Sequence, residues 1–166
     1  MTEYLYWIDK EDRVLGRIDR DEAHSKNLLH RAGVVFVLNS KSEVALAKRS
    51  RKKIIFPGST DSVCSFHVKY GQSYAEAAKK ELSEETGIRI KPDYIGKFLL
   101  DEDPDHIMVA VFLVRHDGAI VLDPSEVESL KFHSLRETDS IIKNKTVTSW
   151  MKGAWKLFRE TGRQIS

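Results

Sequence analysis

The sequence predicts an α/β fold in which helices cover both faces of a β-sheet. Three observations carry this expectation. The run "GVVFVLN" (33–39) is continuously apolar and rich in β-branched residues, which marks a buried strand. A helix with both of its caps written in the sequence spans about 74–86. A second amphipathic segment, "SWMKGAWKLFRE" (149–160), closes the chain. Strands mixed with two or three helices point to a sheet sandwiched between helical layers.

The elements follow in order. "EYLYWID" (3–9) and "VLGRID" (14–19) are short strands around the turn "KEDR". Residues 21–32 are polar with a few apolar positions and fit either a loop or a short helix. After the buried strand, "SKSE" turns the chain and "VALAKRS" (44–50) returns as its hairpin partner. Residues 54–68 mix strand and loop, with Pro57-Gly58 as punctuation. Ser73 and Glu76 form an S-x-x-E capping box, and Gly87 stands where a left-handed stop is expected. Between them Ala75, Ala78 and Leu82 share a face at helical spacing. Strands are expected at 92–100, 107–115 and 128–133. In the closing helix Trp150, Ala154, Leu157 and Phe158 recur at helical spacing.

Length and charge narrow the function classes. A chain of 166 residues suits one domain, 1–166, with a sizeable core. Its 27 basic and 25 acidic residues nearly cancel, so bulk charge makes no case for a nucleic-acid polymer as partner. The single cysteine rules out an internal disulfide and fits a reducing compartment. No apolar run approaches membrane-spanning length, and "MTEYLYWIDKEDR" has acids where a signal peptide carries bases. The expectation is a cytoplasmic protein with no membrane association.

The chemistry concentrates in "AAKKELSEETGI" (77–88). Glu81, Glu84 and Glu85 lie three and four residues apart, which places them on one side of the helix. Glu84 has Lys80 one turn away, whereas Glu81 and Glu85 have no helical cation within a turn. Such a side is either a solvated acidic face or a seat for a hard divalent cation, since Mg²⁺ and Mn²⁺ prefer carboxylate oxygen.

"KELSEETGI" (80–88) closely resembles the second half of the Nudix signature, matching at Glu81, Leu82, Glu84, Glu85, Gly87 and Ile88. The resemblance implies a Nudix-type α/β/α sandwich with a mixed β-sheet. It also implies Mg²⁺ or Mn²⁺ held by Glu81, Glu84 and Glu85, and hydrolysis of a small-molecule diphosphate such as a nucleoside diphosphate linked to another group. Glu81 and Glu84 carry the catalytic expectation. The first half departs from the signature: Phe66 stands at a glycine position, Gln72 at the first glutamate and Lys80 at the arginine. Lys80 keeps the charge but lacks the planar fork of arginine.

The flanking segments, "EAHSKNLLHRA" (22–32), "AKRSRKKIIFPG" (47–58), "DSVCSFHV" (61–68) and "SWM" (149–151), are similar to type 1 isopentenyl-diphosphate isomerase and to hydrolases that look like it. That likeness implies His24, His30 and His67 as metal ligands and Cys64 as a catalytic residue, if the chain is isomerase-like. It matches Arg49 and Lys53 to diphosphate-binding cations and Trp150 to a pocket wall. Read from the residues alone, each has a plainer alternative. The histidines can be structural, the basic run an exposed loop, Cys64 a small buried hydrophobe and Trp150 core.

Departures from the isomerase pattern favour hydrolysis. The stretch from Cys64 to Gly71 has one residue more than that pattern, and the expected second acid motif reads Asp105-His106-Ile107. Isoleucine cannot move a proton at an alkene carbon. Glu84, Glu126 and Glu128 are the candidate bases for water. The expectation is therefore a metal-dependent diphosphate hydrolase. Isopentenyl-diphosphate isomerase and a catalytically weak diphosphate-binding module are the alternatives, and a homodimer is allowed by the resemblance.

Overall fold

The computed structural model describes residues 1–161. Strand β3 (His30–Leu38) is the axis of the sheet. It pairs in parallel with β8 (Asp105–Arg115) along its whole length, from His30↔Ile107 to Leu38↔Arg115. On its other side β6 (Cys64–His67) runs antiparallel, from Ala32↔His67 to Val35↔Cys64. β7 (Asp93–Glu102) extends the sheet beyond β8. β1 (Tyr4–Ile8) and β2 (Val14–Asp19) form a hairpin that joins β3 at Trp7↔His30.

The expected hairpin between β3 and β4 (Val44–Arg49) forms at the 39–43 turn but is short. The two strands pair only at Leu38↔Val44. Beyond that point β4 turns away to β5 (Thr60–Ser62) on one side and β9 (Val127–His133) on the other. The sheet is thereby split between β3 and β4, and the split leaves room for a cleft.

Side-chain alternation along β3 builds two cores. Ala32, Val34, Phe36 and Leu38 face α4 (Ser149–Glu160) and pack with Met151, Ala154, Trp155 and Phe158. Val35 and Val37 face α2 (Tyr74–Thr86) and pack with Ala77, Ala78 and Leu82. The result is the expected sandwich of helices around a mixed sheet. Phe36, fully buried against Trp155 and Phe158, contributes on the order of 3–5 kcal/mol relative to alanine.

Helix α2 has the expected bounds. Ser73 accepts from the Glu76 N–H, the Glu76 carboxylate accepts from Ser73, and Gly87 closes the helix at φ 74°. Its buried stripe is Ala77, Ala78, Leu82 and Thr86, and Ala75 is exposed instead. Helix α4 also keeps its expected bounds, but its buried stripe is Met151, Ala154, Trp155 and Phe158. Trp150 and Leu157 are only partly buried, on the flanks of that stripe. The polar stretch before β3 contains helix α1 (Arg20–Ser25), capped by Asp19 accepting from two backbone N–H groups. One helix was unforeseen: α3 (Leu135–Ile141) opens on a second capping box, Ser134 with Glu137. Among the described residues no helix is long and apolar enough to cross a membrane.

Candidate functional site

A cleft of about 860 Å³ opens where β3 and β4 diverge. The short strands β5 and β6 form its floor, and α1, α2, the 50–59 loop and α4 reach its rim. It brings together His24, His67, Arg49, Lys53, Glu85, Glu126 and Trp150, which are far apart in sequence.

The three glutamates of α2 occupy different environments. Glu85 lines the cleft, and burial, with added repulsion from Glu81 and Glu126, pushes its pKa up to about 8. Glu81 is half-buried, and burial raises its pKa against the opposing pull of Lys69. Glu84 is exposed and lies 3.7 Å from Lys80. A carboxyl that resists ionisation because it is buried among other acids is one that a divalent ion would relieve.

The histidines do converge. His24 comes from α1, His30 from the start of β3 and His67 from the end of β6. Their ring centroids are 4.9, 5.1 and 5.2 Å apart, and one donor nitrogen from each lies within 4.8 Å of the others. His30 Nδ1 sits 2.7 Å from the Leu28 carbonyl, which assigns the proton to Nδ1 and leaves a lone pair on Nε2. The Nε2 atoms of His24 and His30 are buried without a hydrogen-bond partner. Burial, more than mutual repulsion, lowers all three pKa values, that of His30 to about 4. Three neutral imidazoles with unused nitrogens are a donor set that fits a borderline divalent metal. Asp105 lines the cleft beside His24, and its carboxylate accepts from the Ser149 hydroxyl.

Cationic and aromatic side chains also line the cleft. Arg49 Nη1 donates to Asp61 at 3.2 Å and Nη2 to the Ile55 carbonyl at 3.1 Å. Lys53 pairs with Glu126. Arg51 turns elsewhere, 3.4 Å from Glu128, which Lys48 also approaches at 3.6 Å. Trp150 packs edge-on against Phe56 with centroids 5.3 Å apart. Its indole N–H donates to both carboxylate oxygens of Asp61, at 3.0 and 2.9 Å.

Asp61, in the cleft floor and fully buried, is a residue that sequence reasoning missed. The stretch around it, "GSTDSVCS" (58–65), is mostly polar and carries no local sign of that burial. Cys64 is fully buried in the core under α2. Burial, reinforced by Glu85 and Glu81, pushes that thiol pKa upward, which opposes nucleophilic use. Ile107 is buried and pairs with His30. Phe66 lies across Gly33 and forms part of the cleft wall. Gln72 Oε1 is buried with no partner.

Comparison with known proteins agrees with this architecture. Residues 28–154 match the NUDIX domain. An uncharacterized Nudix hydrolase of Pseudomonas aeruginosa is 32% identical over 133 residues, covering 79% of this chain and 78% of that protein. Isopentenyl-diphosphate Delta-isomerase 1 of Photorhabdus laumondii is 30% identical over 164 residues, covering 92% of this chain and 93% of that protein. The crystal structure of DR0079 from Deinococcus radiodurans superposes with a TM-score of 0.78 at 20% identity, covering 97% of this chain and all of that one.

Proposed function

Because the chain belongs to the Nudix family, we propose that it hydrolyses the diphosphate linkage of a small molecule with the help of Mg²⁺ or Mn²⁺. The observation that carries this reading is the cleft itself, which Glu85, Arg49 and Lys53 line together. Glu81, Glu84 and Glu85 would hold the cation. A divalent ion in such a site neutralises phosphoryl charge and lowers the pKa of attacking water. Arg49 and Lys53 offset the remaining charge on the diphosphate, arginine as the better fork. Of the three candidate bases, Glu126 lines the cleft, Glu84 is exposed beside Lys80, and Glu128 is engaged by Lys48 and Arg51. Glu126 is therefore the acid best placed to take the proton from water.

The test is a panel of nucleoside di- and triphosphates, nucleotide sugars, dinucleotides and prenyl diphosphates with each cation, scored for phosphate release. Glu85→Gln should abolish metal-dependent release with the fold intact. Full turnover in that variant would end the proposal.

The convergent histidines favour a second reading, isomerisation of isopentenyl diphosphate. Against it stand the buried Ile107 where a second acid is needed and the walled-in Cys64. Cys64→Ala separates the two. Hydrolysis should survive it nearly unchanged, whereas isomerisation, read as deuterium exchange into substrate, should be lost.

A further inference from the structure

Asp61 is an unusual residue for the floor of a cleft meant for an anion. Its carboxylate is fully buried, only 1% exposed. It accepts from Trp150 Nε1, Arg49 Nη1 at 3.2 Å, Ser65 Oγ at 2.9 Å and its neighbour's backbone, the Ser62 N–H, at 2.7 Å. A buried negative charge beside the binding cation should weaken attraction for a diphosphate, unless it does something else there. Its partners show what that is. Arg49 comes from the end of β4, Asp61 from β5, Ser65 from β6 and Trp150 from the first turn of α4. Asp61 bonds to the side chains of all three of the others.

We propose that Asp61 is a positioning residue that fixes the guanidinium of Arg49 and the indole of Trp150 in one rigid relation, and so sets the distance between the anion-neutralising and aromatic parts of the cleft. The remaining contacts agree. The Arg49 guanidinium carbon stands 5.5 Å from the Trp150 ring centroid, within cation–π range. Arg49 Nη2 is held by the Ile55 carbonyl, while its Nε–H is buried with no partner. An unpaired buried donor is costly, and a phosphate oxygen is a partner that would satisfy it. Phe56, at φ 50°, packs its ring on Trp150 from the same loop. A cation anchored in this way loses little freedom when an anion arrives, which is how pre-organisation raises affinity.

This inference rests on the diphosphate reading of the cleft, and the experiment keeps the two apart. The ligand is inorganic pyrophosphate with Mg²⁺, titrated calorimetrically into the full chain. Asp61→Asn keeps an acceptor for the indole but removes the charge that steers Arg49. It should weaken pyrophosphate binding by about tenfold, the loss expected when a charged hydrogen bond no longer orients its donor. In an Arg49→Ala background the same change should have no further effect, as a double-mutant cycle requires of coupled groups. Ser65→Ala, a milder variant acting on the same Asp61 oxygen, should weaken binding less and in the same direction. The Trp150 indole N–H, one of three in the chain, reports the other half in a ¹⁵N correlation spectrum. It should hold its position in Asp61→Asn and lose its downfield shift and exchange protection in Asp61→Ala. Pyrophosphate binding that stays equal or tightens in folded Asp61→Asn would overturn the positioning role while leaving the diphosphate reading intact. Failure of the unaltered chain to bind pyrophosphate would remove both.

Discussion

A methyl group built on Gly33 would stand 2.3 Å from Cζ of Phe66. Phe66 occupies the position where the Nudix signature has glycine, and Gly33 is its neighbour across the β3–β6 ladder. Here the small residue stands on the facing strand, so the bulky ring is accommodated and becomes part of the cleft wall. Gly33→Ala should therefore destabilise the fold by about 1–3 kcal/mol through overpacking. Adding Phe66→Ala should relieve that clash, so the two changes together should cost less than the sum of each alone in urea unfolding. Simple additivity would mean that the ring yields freely.

Glu85 gives a pH dependence of stability with a definite sign. Its folded pKa, about 8, lies above the ordinary 4.5. The fold therefore prefers the protonated acid. Its contribution is complete below about pH 4.5 and disappears as pH rises through 8. At about 1.36 kcal/mol per pH unit the ceiling is roughly 5 kcal/mol, and about 1–2 kcal/mol is expected after relaxation of a partly exposed group. In metal-free protein the stability of the unaltered chain relative to Glu85→Gln should fall from pH 5 to pH 8, a difference from which the histidine contribution cancels. Saturating Mn²⁺ should raise Tm more at pH 8 than at pH 6, because the cation competes with the proton for the same carboxylate. A difference between the two proteins that stays constant from pH 5 to pH 8 would contradict the burial argument.

The histidine cluster acts at the other end of the scale. The folded pKa of His30, about 4, lies below the ordinary 6.5, and those of His24 and His67 are lowered too. The fold prefers neutral imidazole, so this contribution is complete above pH 6.5 and is lost as pH falls toward 4. His30→Gln should flatten the acid limb of a urea-denaturation profile. If the cluster is also a metal seat, Co²⁺ should develop visible d–d absorption on titration, and His67→Ala should remove it. An unchanged spectrum in His67→Ala would place the ion elsewhere.

What the sequence made legible follows from the range of the interactions concerned. The extents of helices α2 and α4 are legible because capping and helical periodicity are local signals, although the exact buried stripe of each is not. Helix α3 carries the same capping box, Ser134 with Glu137, but its seven residues are too short for an apolar period to show. The start of β3 at His30 was hidden, because "HRA" is polar by composition and becomes strand through pairing with β8. The departure of β4 from β3 was hidden for the same reason, since its partners β5 and β9 lie elsewhere in the chain. The cations and Trp150 of the cleft were named only through family likeness, and the histidines likewise. Asp61 went unnoticed because its role depends on Arg49 and Trp150, 12 and 89 residues away.

Glu126 offers the sharpest check on how water is activated. Among the acids weighed as base it is the one that lines the cleft, and it is paired with Lys53, which is expected to meet the diphosphate. If Lys53 moves onto the substrate, the Glu126 carboxylate loses its partner and becomes the stronger base, which couples proton removal to substrate binding. Glu126→Gln should then lower kcat by about 10²–10⁴-fold, the range for general-base loss, with KM and Mn²⁺ affinity little changed. Lys53→Ala should instead raise KM chiefly, because it removes a contact made in both ground and transition states. Steady-state kinetics on the best substrate of the panel measure both. A Glu126→Gln variant that keeps kcat and loses only affinity would assign this pair to binding and leave proton transfer to another acid.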